Sequence, residues 1–180
     1  PGVPHVFIGT REPVSIPYIG SIQFKWIAGY PQESKYFDGA TAGDTRFLNA
    51  VNLAWSPSFF SSLTLGLTRS YQMYEHNGFD WNNVTAMFNP FQKSVLEAGQ
   101  GGDRERQARN QSATFYAQLA LPGTNAELYG EFFREDHSYD WRDFMQQPHQ
   151  NSAWTFGIKK LFKAPLSDFY IANFEVTTLT

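Results

Sequence analysis

Residues 127–144 read ELYGEFFREDHSYDWRDF, and the first half of this stretch decides how the chain folds. In an extended strand successive side chains point to opposite faces. Leu128, Gly130 and Phe132 then share one face, while Glu127, Tyr129, Glu131 and Glu135 share the other. A water-soluble sheet seldom turns three glutamates and an aromatic toward its core. A membrane barrel does so naturally, because its polar face lines a wet lumen and its apolar face meets lipid. The second half reads as a loop that gathers Arg134, Glu135, Asp136, His137, Asp140, Trp141, Arg142 and Asp143.

The same alternation recurs along the chain. Strands are predicted at about residues 19–29, 46–55, 62–71, 111–121, 127–135, 152–161 and 168–178, each near the length of a tilted membrane-crossing strand. Ile22, Phe24 and Trp26 alternate with Ser21, Gln23 and Lys25; Leu63, Leu65 and Leu67 alternate with Thr64, Gly66 and Thr68. In the second strand Phe47, Val51, Leu53 and Trp55 share a parity that Asn49 breaks. Residues 1–17 hold four prolines and read as an irregular lead-in. Connections alternate long and short, and PGTN (122–125) is a hairpin turn. The segment 84–98 is spaced for a short helix after Pro90.

The fold class expected is therefore all-β. About seven antiparallel strands would form a segment of a larger transmembrane outer-membrane β-barrel, with short turns on one side and long loops, one partly helical, on the other. Strands would occupy residues 17–72 and 111–178, and residues 73–110 would form a long extracellular loop. Seven strands neither make an even number nor close a sheet, so the first and last are expected to pair with further strands of the same barrel. The chain opens at Pro1 with no charged and apolar leader, which fits a piece of a longer protein.

Charge placement agrees with lipid on the apolar side. Arg69, Arg134 and Lys160 are the cations on that parity, and each is expected among the last few residues of its strand. There a long side chain reaches head groups. Composition excludes other classes. Of 180 residues, 42% are hydrophobic and 17% charged, which argues against disorder. Net charge is −3 with no basic run, so nucleic acid is not an expected partner. The absence of cysteine removes disulfides and thiolate metal sites. No regular ligand spacing joins Asp136, His137, Asp140 and His149, and no metal or cofactor is expected.

Four segments resemble the capsule assembly Wzi family of outer-membrane proteins: SIPYIGSIQFKW (15–26), FLNAVNLAWSPSFFSSLTLGLTRS (47–70), FNPFQK (88–93) and YGEFFREDHSYDWRDF (129–144). The last is the most specific. The resemblance implies a large closed barrel in the bacterial outer membrane, with extracellular helices. It also implies lectin-like, non-enzymatic binding of capsular or extracellular polysaccharide at the cell surface. Partners would then be surface polysaccharide, outer-membrane lipid and the remaining strands of the barrel.

Read from the residues, sugar binding needs aromatic faces for pyranose rings and planar polar groups for hydroxyls. Trp81, with Tyr74, His76 and Asp80 nearby, and Arg134, Asp136, His137, Asp140 and Trp141 supply both. Each has a plainer reading, as a girdle aromatic or a member of a loop salt-bridge network, and Tyr129, Glu131 and Lys25 as lumen filling. Two other functions stay open at this point. A porin-like channel would use the same polar face, and a surface glycosidase would need two carboxyls flanking the scissile bond, for which Glu131, Glu135 and Asp136 are candidates.

Overall fold

The computed structural model of the protein describes residues 4–31, 46–74, 109–135, 145, 151–163 and 169–179. Among these, nine strands form one open antiparallel sheet and helix is nearly absent. The strands are β1 (His5–Gly9), β2 (Val14–Ile16), β3 (Gly20–Gly29), β4 (Arg46–Pro57), β5 (Leu63–Tyr74), β6 (Arg109–Leu121), β7 (Ala126–Glu135), β8 (Ser152–Lys163) and β9 (Phe169–Leu179). From β3 onward each strand pairs with the next in sequence. The seven strands expected from alternation are β3 to β9, with ends shifted by only a few residues. β5 runs on to Tyr74 and β6 begins at Arg109, so the long connection spans 75–108.

The lead-in is not irregular, as expected from its prolines. β1 and β2 lie end to end along the outer edge of β3, and give that strand the neighbour that had been expected from beyond the chain. Pro4, Pro13 and Pro17 fall just outside the two strands, where proline's missing N–H breaks no ladder bond. Thr10 spans the gap between them. Its N–H donates to the Phe24 carbonyl at 2.9 Å, and its Oγ1 accepts from the Phe24 N–H at 3.1 Å.

The short connections all lie at one end of the sheet, because Gly20 pairs with Pro57, Leu63 with Leu119, and Ala126 with both Leu121 and Lys160. They are laced together. Ser58 donates its N–H to Ile19 O and its Oγ to Tyr18 O, and Trp55 Nε1 also reaches Ile19 O. PGTN forms a single 3-10 turn whose exit residue, Asn125, takes a left-handed φ of 52°. Asn125 O then accepts from Leu161 N–H on β8.

Among the described residues the apolar core is small, Ala28 and Phe47 with Trp26 and Tyr30 packed against them. The buried apolar side chains among the described residues include Ala28, Phe47, Ala54, Tyr71 and Ala113, mostly small, and of all side chain types the largest fully buried are Asn49, which is polar, and Pro57. Large apolar side chains are exposed instead, among them Leu53, Phe115, Phe156 and Phe174. Soluble folds gain most of their stability from hiding such groups from water. This sheet gains little that way, so its outer surface decides what environment suits it.

Candidate functional site

Register assigns every strand residue to one of two faces. On the first, Leu53, Leu67, Phe115, Phe132 and Trp154 form one row across five strands. Beside it runs a second row of Trp55, Leu65, Ala117, Gly130, Phe156 and Val176. Phe115 is 55% exposed, Phe156 59% and Phe174 66%, so this half of the face is a continuous open apolar band. Monomeric soluble proteins rarely show one so broad.

The second face is polar and knitted by its own side chains. Ser56 meets Thr64 at 2.9 Å, Ser70 meets Ser112 at 2.7 Å and Thr155 meets Thr177 at 3.0 Å, each between adjacent strands. Asn52 Nδ2 donates to Thr68 Oγ1 at 2.8 Å and to Tyr116 Oη at 3.1 Å. Tyr129 Oη donates to Glu175 Oε2 at 2.6 Å, with Asn173 Oδ1 at 3.2 Å, and so links β7 to β9 across β8. Both tyrosines reach so far because their rings lie over paired glycines, Tyr116 over Gly66 and Tyr129 over Gly157. A Cβ at either glycine would run into the ring. Glycines on the polar parity, each opposite a tyrosine, were the sequence signal for these pairs.

Toward the long connections the apolar face changes character. Asn49, Tyr71 and Gln111 lie opposite one another on β4, β5 and β6, and Arg69, Ala113, Arg134 and Ser152 form the next row on β5 to β8. Asn49 is wholly buried, Arg69 and Gln111 are 6% exposed, and Ser152 is 4% exposed. Burying polar groups costs free energy unless each is paired. These residues are engaged: Trp26 Nε1 donates to Asn49 Oδ1 at 2.8 Å, and the Arg69 guanidinium stacks 5.0 Å above the Tyr71 ring. Asn49 therefore breaks the parity of β4 for a reason, as the buried acceptor for a part-buried indole.

Of the three cations expected near strand ends on the apolar face, Arg69 departs from that expectation. Arg69 is not among the last residues of its strand, because β5 continues to Tyr74; it lies mid-strand and buried. Arg134 and Glu135 are the last two residues of their strand, as the strand expected over 127–135 has it, and do not belong to the loop in which they were also counted. They belong to β7, with Arg134 partly buried on the first face and Glu135 exposed on the second, so the strand separates them. Lys160 does lie at a rim, beside the PGTN turn, where its ammonium donates to Thr124 O and rests 5.8 Å from the Phe162 ring.

Of the six residues expected to bind sugar, Arg134 alone is thus placed. Trp81, Asp136, His137, Asp140 and Trp141 lie outside the described residues, as do His76, Asp80, Asp143, His149 and the helix expected within 84–98. Among the described residues no group of three or more His, Cys, Asp or Glu could hold a metal ion. No helix among them is long and apolar enough to cross a membrane, which says nothing of a barrel that crosses with strands. In comparisons with known proteins, no family model, no curated protein and no solved structure matches this chain.

Proposed function

We propose that this chain is part of an outer-membrane β-barrel that binds capsular or extracellular polysaccharide at the cell surface and supports capsule attachment or assembly. The observation that carries the membrane part is the inversion of burial: Asn49 and Arg69 are hidden while Phe115 and Phe156 stand open. Lipid is the environment in which that arrangement costs least, since an apolar outer band and a polar, hydrogen-bonded inner face are what a spanning barrel requires. Bacterial barrels put short turns on the periplasmic side and long loops outside. That would set 75–108 and 136–151 at the cell surface.

The ligand rests on those long connections and on the resemblance to the Wzi family. Trp81 and Trp141 would stack on pyranose rings, and Asp136, His137 and Asp140 would pair with sugar hydroxyls, without bond making or breaking. Arg134, set in β7, would brace the base of the second loop rather than meet sugar. The test mixes the detergent-purified full-length protein with the producer's surface polysaccharide and follows both by size-exclusion chromatography. Co-elution that weakens in Trp141→Ala is expected, and separate elution of the wild type overturns the reading. A polysaccharide that shortens with time would reveal a glycosidase.

A porin-like channel is the second reading, and the polar face favours it. Lys25, Glu131 and Glu175 lie on that face in mid-strand, as lumen charges of a pore do. Steady single-channel conductance in planar bilayers, without polysaccharide co-elution, would establish the channel instead.

A further inference from the structure

The apolar band is not smooth. Ala117 and Gly130, paired across β6 and β7, leave a dimple of about 410 Å³ walled by Leu65, Phe115, Phe132, Trp154 and Phe156. Its walls are braced by ring contacts. Phe132 and Trp154 lie 4.4 Å apart, and Trp154 stacks on Phe156 at 6.2 Å. The Phe156 ring leans against Gly130, where an added Cβ would lie 3.1 Å from it, so the hollow is narrowed on the β8 side and opens outward over Ala117, between side chains that are almost all apolar.

We propose that this dimple seats one acyl chain of an anionic glycerophospholipid whose phosphate lies against Lys160. The proposal rests on the reading that this face meets lipid. Lys160 lies on the same face as the dimple, and its neighbours in register, Ala126 and Ala172, carry no charge. Its ammonium spends one hydrogen on Thr124 O, and an ammonium has three. Lys160 is four residues along β8 from Phe156, or roughly 13 Å of strand. At the tilt of a barrel strand that is about 10 Å of depth, well inside the reach of one leaflet of a core roughly 30 Å thick. A cation at the rim and a chain-sized hollow below it match a lipid with a negative head. A zwitterionic head, which brings its own cation, matches less well.

Native mass spectrometry of the detergent-purified full-length protein tests this with phosphatidylglycerol, phosphatidylcholine and free glycerol phosphate. The wild type should retain phosphatidylglycerol about threefold over phosphatidylcholine, the ratio of one exposed ion pair, and should retain no glycerol phosphate. Lys160→Gln should erase that preference and Lys160→Arg should keep it. Gly130→Leu or Ala117→Leu, which fill the hollow, should reduce retention of both lipids. Equal retention by the wild type, or a preference unchanged in Lys160→Gln, overturns the site, and so does glycerol phosphate bound as well as the lipid. A heat-modifiable gel shift shows which variants have folded. Any of those failures in a folded, detergent-dependent protein sinks the site alone, whereas release from membranes by salt without detergent sinks the lipid-facing reading itself.

Discussion

The ring of Tyr116 on β6 lies directly over Gly66, its register partner on β5, where a side chain would otherwise stand. From that position its hydroxyl meets Asn52 on β4, so one residue ties three strands together. Aromatic cover of a strand glycine pins register, and a one-residue slip would throw every side chain to the wrong face.

Gly66→Ala should therefore destabilise the folded protein by about 1–3 kcal/mol, the range for overpacking. Tyr116→Phe should cost about 0.5–1.5 kcal/mol for the lost hydrogen bond. The double variant Gly66→Ala/Tyr116→Ala should lose less than the sum of its parts, because the clash needs both partners. Urea unfolding in detergent micelles measures all of these, and strict additivity would show that the ring does not depend on the glycine.

Asn49 and Trp26 give a second prediction. Asn49→Ala takes the acceptor from a part-buried indole N–H, which should cost about 0.5–1.5 kcal/mol. Trp26→Phe removes the donor, and on that background Asn49→Ala should cost clearly less. The same unfolding measurement reads the difference.

These two relations also show what could and could not be read from the residues. Strands β3 to β9 were legible because apolar and polar side chains alternate through them, from Ile22 to Val176. β1 and β2 were hidden by the prolines that flank them, although Val6 and Ile8, and then Val14 and Ile16, already alternate. Asn49 looked like a fault in its strand because the donor that explains it, Trp26, lies on another. Arg134 was read both as a strand end and with the loop, since Glu135, Asp136 and His137 follow it directly. In the sheet, pairing with Ala113 and Ser152 holds it in β7. Sequence spacing shows which residues are near along the chain, and register shows which lie side by side.

Arg134 and Trp141 should accordingly separate in function. Trp141→Ala should leave the unfolding midpoint unchanged and weaken polysaccharide co-elution. Arg134→Ala should lower the midpoint first, with any loss of binding in proportion to the loss of folded protein. Chromatography and unfolding on the same preparations check both, and a stable Arg134→Ala that no longer binds would return Arg134 to the binding surface.

The two faces should also answer differently to charge. Phe115→Lys puts a cation in the apolar band and should cost about 2–4 kcal/mol if that band lies near the bilayer midplane. Gln118→Lys, on the opposite face of the same strand, should be nearly neutral. Refolding yield into phosphatidylcholine vesicles, scored by heat-modifiable mobility, gives the comparison, and equal yields would argue against a lipid-facing band.

The most direct test uses single cysteines, a residue this chain lacks, with any cysteine elsewhere in the full-length protein replaced by serine. Single cysteines are placed in turn at residues 153–158 of β8 in the full-length protein, spin-labelled, and read in vesicles for contact with oxygen and with a water-soluble nickel chelate. Labels at 154, 156 and 158 should favour oxygen and those at 153, 155 and 157 the chelate, a strict period of two with the apolar face in lipid. If the chelate reaches positions 154, 156 and 158 as readily as their neighbours, that face meets water and the barrel account is wrong.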